Sequence, residues 1–177
     1  MKNARGGFTL IELMVSISIL AIMMVFLYKS YASLNRSNNI YEKEVNLIKS
    51  EQTKKKVIYL DFSLALLEST KILNQDSKED VIFFQSSNSI HKMYNPYIAY
   101  LIKDEKLYRL ESLTKFKEYP LSNDSEFSVD YLGEVNSFRV YKSSKKVGDI
   151  TPEVYLVHID FKSNNDILLK IKVLNQF

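Results

Sequence analysis

Apolar residues run almost without a break from Phe8 to Leu27, with one carboxylate, Glu12, inside the run. As a helix, residues 8–28 would be about 30 Å long, enough to cross the hydrocarbon core of a bilayer. The pattern beyond stays helical, because 35–56 holds no Gly or Pro and Tyr41, Val45, Ile48 and Gln52 follow i, i+4, i+7, i+11 spacing. The helix is expected to continue through Leu60–Leu67 to about Thr70. From residue 81 the period shortens to two. Val81–Phe84, Tyr97–Ile102, Lys106–Leu110, Phe127–Tyr131, Ser137–Tyr141, Val154–Phe161 and Ile167–Val173 are rich in β-branched and aromatic residues and read as strands.

The polar breaks Lys103–Lys106 and Ser163–Asp166 suit hairpins, so the sheet should be largely antiparallel. Tyr155, Val157, Ile159 and Phe161 share one face, as do Ile167, Leu169, Ile171 and Val173. A sheet with one apolar face needs a cover, and the amphipathic second half of the long helix is the candidate. The expected class is α+β: a long N-terminal helix, its first half membrane-spanning, packed on a C-terminal antiparallel sheet. The partition is 8–28 for the membrane half, 29–70 for its amphipathic continuation and 71–177 for a periplasmic sheet domain.

Glu12 changes the picture, since a carboxylate at bilayer depth costs about 2.5–3.5 kcal/mol or more and is functional by default. Directly ahead of the run stands the short basic leader Met1–Gly7, with Lys2 and Arg5. Gly7-Phe-Thr-Leu-Ile-Glu12 after such a leader resembles the class III signal of type IV pilins and type II secretion pseudopilins. The resemblance implies cleavage between Gly7 and Phe8 by a prepilin peptidase on the cytoplasmic side, and N-methylation of Phe8. It also gives Glu12 a role in subunit assembly, pairing with a neighbour's Phe8 amine. Four helical residues set that amine and the Glu12 carboxylate about 6 Å apart along the axis, so a subunit displaced by about one turn could make the pair.

Two plainer readings compete. A removed secretory signal wants a 7–15-residue apolar core and an Ala-x-Ala-like end, whereas this core is longer and closes on Leu27-Tyr-Lys-Ser-Tyr31. A membrane-anchored periplasmic domain that never polymerises accounts for the length but not for Gly6-Gly7 or Glu12. Lys2 and Arg5 precede the span and Lys29 and Arg36 follow it; the denser leading pair plus the amino terminus favours a cytoplasmic leader and a periplasmic C-terminal domain anchored in the inner membrane.

The later segments narrow the resemblance. Leu60-Asp-Phe62, Asp80–Phe84, Tyr97–Tyr100 running into Lys106–Glu111, Val135-x-x-Phe138 and Pro152–Val157 are similar to the J-type minor pseudopilins and the W-type minor pilins, although Trp is absent. That implies a subunit at or near the tip of a type II secretion pseudopilus, helping to initiate assembly for protein export. A minor pilin of a type IV pilus or of a DNA-uptake system is the alternative. Partners implied are other major and minor pilins or pseudopilins and an inner-membrane platform protein with a cytoplasmic assembly ATPase.

Charge and chemistry exclude more than they add. The net charge is +3, of which Lys2 and Arg5 supply two, so the mature chain is nearly neutral and no obvious polyanion binder. Lys54-Lys55-Lys56 reads as a solvated, partly paired helix face, with Glu51 spaced to pair with Lys55 at i, i+4, because nucleic-acid patches recruit more basic residues than three. The two histidines, His91 in a loop and His158 on the polar side of a strand, show no ligand spacing, and there is no Cys. Asp76–Asp80 lacks the alternating ligands of a calcium loop and reads as a solvated turn. Serines and glycines form no nucleophile elbow or phosphate-cradling loop. No catalytic residue, metal or cofactor is expected.

Overall fold

The computed structural model describes residues 8–66, 69–121, 126–144, 153–163 and 166–174. Helix α1 runs unbroken from Leu10 to Ser63. Strands follow as β1 (Lys71–Asn74), β2 (Asp80–Gln85), β3 (Tyr97–Lys103), β4 (Lys106–Ser112), β5 (Ser128–Ser144), β6 (Glu153–Phe161) and β7 (Asp166–Lys172). They form one sheet in the order β1-β2-β3-β4-β5-β6-β7, each neighbouring pair antiparallel. The class is α+β, as the sequence pattern implies. Residues up to Glu51 and residues from Gln52 onward form separate compact units.

The helix stops seven residues before the expected Thr70, without a Gly or Pro to stop it. The sheet captures the backbone instead: Ser87 N donates to Leu64 O at 3.0 Å, Leu66 N to Gln85 O at 2.8 Å, and Ala65 bridges Ser86. Ser86 Oγ also donates to Asp61 O at 2.9 Å, satisfying a carbonyl of the last turn that the helix leaves open. Tertiary pairing overrides local propensity here.

Packing corrects the expected cover face. Tyr41, Val45 and Ile48 are exposed; Ile58, Asp61, Phe62 and Ser63 are the helix's buried residues. Phe62 is the plug of the main core, with its ring centroid 4.9 Å from Phe84, 5.5 Å from Tyr155 and 5.8 Å from Tyr100. Burying such a ring contributes about 1.5–3 kcal/mol. The predicted alternation holds in this core, where Tyr155, Val157, Ile159 and Phe161 meet Ile167, Ile171 and Val173.

Strands β2, β3 and β4 carry a second apolar face, which the one-faced reading missed. Val81, Phe83, Ala99, Leu101 and Leu110 point away from the helix and are covered by the segment after β4, through Phe116, Tyr119 and Leu121.

The separately predicted strands 127–131 and 137–141 form one 17-residue strand, β5. Its first half pairs with β4 and its second with β6, with irregularities opposite Leu107/Tyr108 and between Val135 and Ser137. Such bulges bend and twist a strand. The second half thereby reaches the start of β2: Phe138 N donates to Lys78 O at 2.9 Å, and Val140 N to Asp80 Oδ2 at 2.8 Å. Gly133 sits at the first irregularity with φ +144°, where an added Cβ would lie 3.0 Å from Phe161 Cε1. Only a residue without Cβ suits that conformation and that approach.

The hairpin at 103–106 is as expected, a two-residue turn with Asp104 (φ 52°) and Glu105 (φ 59°) both left-handed. The break at 163–166 includes two residues outside the described ones; β6 and β7 pair up to Asp160 and Asp166.

Candidate functional site

At the N-terminal end, α1 starts with a capping box. Thr9 is the cap residue: Glu12 N donates to Thr9 Oγ1 at 3.4 Å, and Glu12 Oε2 accepts from both Thr9 N and Thr9 Oγ1 at 2.9 Å. The Thr-x-x-Glu spacing satisfies two donors that a helix start leaves open. Glu12 is thus held one turn from Phe8, with Oε2 engaged. Phe8 is 83 % exposed, and no residue of the most apolar stretch of the helix is buried, in a helix long and apolar enough to cross a membrane. Ser16 and Ser18 turn their hydroxyls back to Glu12 O and Met14 O, both at 2.8 Å, so their polarity is spent within the helix. Gly7, the other side of the expected cleavage junction, lies outside the described residues.

The family model for the prokaryotic N-terminal methylation motif matches residues 2–28. The chain carries the class III prepilin signal of the type IV pilin and pseudopilin family. That signal implies processing by a prepilin peptidase and assembly with other pilins, and it points to a structural subunit rather than an enzyme. No curated protein and no solved structure matches the chain. With the exposed apolar helix, the signal is consistent with inner-membrane anchoring of a pilin.

A second cluster, which the sequence did not disclose, joins the end of α1 to the sheet. Arg109 on β4 is fully buried. Its Nε and Nη2 donate to Asp61 Oδ2 and Oδ1 at 2.6 and 3.2 Å, and its Nη1 to Glu111 Oε2 at 2.7 Å and Asp130 Oδ2 at 3.0 Å. Asp61 also accepts from Tyr100 OH and Asn88 Nδ2, each at 2.6 Å. Glu111 accepts from Ser89 Oγ and from Ile90 N at 3.1 Å.

The electrostatics follow from these contacts. Burial works against the Arg109 charge, but the Asp61 hydrogen bonds and charge outweigh it and the guanidinium pKa rises. Burial likewise penalises the Glu111 carboxylate, yet the Ser89 and Arg109 hydrogen bonds hold its pKa below the ordinary value. Burial, then the Asp61 charge, pushes the Tyr100 hydroxyl well up, so it remains a donor. Three carboxylates share one guanidinium in this bolt between helix and sheet, each of them in hydrogen-bond contact with Arg109.

His91, placed in a loop as expected, reaches Asp130 with Nε2 3.1 Å from Oδ1. Among the described residues, His91, Glu111 and Asp130 form the one group of metal-capable side chains, their ligand atoms within 4.8 Å of one another. Arg109 Nη1 already touches both carboxylates, so a cation occupies the position a metal would take. His158 lies on the solvent side of β6, opposite Arg139 and Leu168.

Two segments read as solvated are mostly so, with Asp76–Lys78, Lys55 and Lys56 exposed, but each holds one engaged residue. Asp80 is buried, its Oδ2 held by Val140 N and 3.2 Å from Arg139 Nε. That last contact is an ion pair without hydrogen-bond alignment, since Asp80 Oδ1 and Arg139 Nε have no hydrogen-bond partner. Arg139 Nη1 instead donates to the carbonyls of Asp76 and Ser77, so the acidic segment is a clasp onto β5. Lys54 lies with its ammonium 5.5 Å from the centroid of the Phe161 ring, a cation–π contact rather than a free charge.

Proposed function

We propose that this chain is a minor pseudopilin-like subunit of a type II secretion pseudopilus, assembling at or near the filament tip and helping to initiate assembly for protein export. The observation that carries the reading is the Thr9–Glu12 capping box directly behind Phe8, at the head of an apolar helix with no buried residue in its most apolar stretch. In the free subunit the capping box hydrogen-bonds the Glu12 carboxylate within its own chain. After cleavage between Gly7 and Phe8 and methylation of Phe8, a neighbour's amine one turn away supplies the opposite charge. A desolvated ion pair is tolerable when both partners are present, which makes docking selective for correctly registered subunits.

Residues 1–7 are then the leader, 8–28 the membrane half of the helix, 29–63 its continuation, shortened from the expected 70 by the helix end at Ser63, and the sheet domain beyond it lies on the periplasmic side. Extraction from the inner membrane is driven by the cytoplasmic ATPase through the platform protein. The fold alone does not separate secretion from pilus functions. Quantitative comparison of culture supernatants from the parent strain and an in-frame deletion separates them. Loss of specific exported proteins supports the secretion role; an unchanged supernatant refutes it and favours a minor pilin of a type IV pilus or DNA-uptake system.

A further inference from the structure

A cleft of about 390 Å3 opens where β1, β2 and β3 meet the segment that covers the second apolar face. Its floor is aromatic: Phe83 and Phe116 stack with centroids 5.7 Å apart, both almost fully buried, and half-buried Tyr97 stands beside them. Its rim is cationic. Lys71, Lys115 and Lys117 all line it, and none of the described residues that line it is acidic. Lys71 Nζ donates to Lys117 O at 3.4 Å, which uses one of the three ammonium protons and ties the edge strand to the cover segment. Lys115 and Lys117 have no ion-pair partner among the described residues.

Three ammonium groups around one concavity repel one another unless an anion enters, and an apolar floor gives nothing to a bare hydrated ion. We propose that this cleft binds a small organic anion, a phosphate or carboxylate carried on a flat apolar body. The volume falls in the range of about 300–1,000 Å3 in which small molecules are enclosed. The ammonium groups act as point charges, which suits phosphate as well as carboxylate. The anionic group would sit among the lysines, with the apolar body against Phe116 and Tyr97. This site stands apart from the Phe8–Glu12 assembly site and does not depend on it.

The test is calorimetric titration of the detergent-solubilised full chain with phenyl phosphate and benzoate, beside inorganic phosphate and benzyl alcohol. Phenyl phosphate or benzoate should bind at least about tenfold more tightly than either half-ligand, a difference of about 1.4 kcal/mol. The preferred anion identifies the headgroup. Lys115→Gln/Lys117→Gln should lose at least about tenfold in affinity with Tm unchanged, because both side chains are exposed. Lys71→Gln, tested separately, should weaken binding in the same direction and stands in if the double variant misfolds. No saturable binding, binding equalled by inorganic phosphate or benzyl alcohol, or affinity unchanged in the lysine variants overturns the proposal.

Discussion

Replacing Arg109 by Met removes the cation of the helix–sheet bolt while keeping most of its length. Asp61 and Glu111 are both fully buried, and Asp61 relies on Arg109 for two hydrogen bonds. Breaking a buried ion pair from one side leaves uncompensated charge and costs about 3–5 kcal/mol. That is a large share of the roughly 5–15 kcal/mol that stabilises a typical protein. At about 2–4 °C per kcal/mol for a chain of this size, Tm should fall by about 6–20 °C in circular-dichroism melts of the detergent-solubilised protein. The defect should depend on pH in a definite sense. In Arg109→Met the buried Glu111 carboxylate keeps its Ser89 and Ile90 donors but loses its counter-charge, so protonation relieves it, and the Tm gap to the parent should narrow from pH 7 to pH 4. Adding Asp61→Asn and Glu111→Gln should recover part of the loss at pH 7. A fall of less than about 3 °C, or a gap that widens in acid, would refute the view that Arg109 supplies the counter-charge this cluster needs.

Acid should weaken the parent protein through Glu111. Its folded pKa lies below the ordinary carboxylate value of about 4.3. The stability it contributes is therefore complete above that value and is lost as pH falls through the folded pKa; Tm against pH should be flatter in Glu111→Gln. Gly133→Ala should cost about 1–3 kcal/mol from its positive φ, with further strain from the Phe161 ring, and Phe161→Leu should restore only the second part. Thr9→Val removes the cap and should raise amide exchange at Leu10–Leu13, at a local cost of about 0.5–2 kcal/mol, without moving Tm of the unit from Gln52 onward. Glu12→Ala should permit cleavage yet impair incorporation into filaments, measured by shearing and immunoblotting; normal incorporation would rule out the pairing role.

Most of the architecture was legible because it is written in periodicity. The unbroken apolar run, the switch from period 3.6 to period 2 near residue 81 and the alternating faces of β6 and β7 each appear in the structure. Three features were not, for identifiable reasons. The helix end at Ser63 is set by backbone bonds to residues 85–87, which no local signal encodes. Strand β1, Lys71–Asn74, is too short and too polar to stand out without its partner β2. The Arg109 cluster gathers residues 61, 109, 111 and 130, which read singly as helix and strand polar positions; only the strand register brings them together. Arg109 between Tyr108 and Leu110 was the one available hint, and its burial follows only from the strand register. At the N-terminal site, Thr9 stands in the sequence as the first residue of a Thr-x-x-Glu capping box, which the structure forms.

The central claim is that this chain is processed and built in as a pilin-like subunit, and its most direct test is the intact mass of the protein extracted from membranes after co-expression with a prepilin peptidase. The account predicts loss of Met1–Gly7 and one added methyl group on the new Phe8 amine. A full-length mass that retains residues 1–7 in the presence of active peptidase would contradict it.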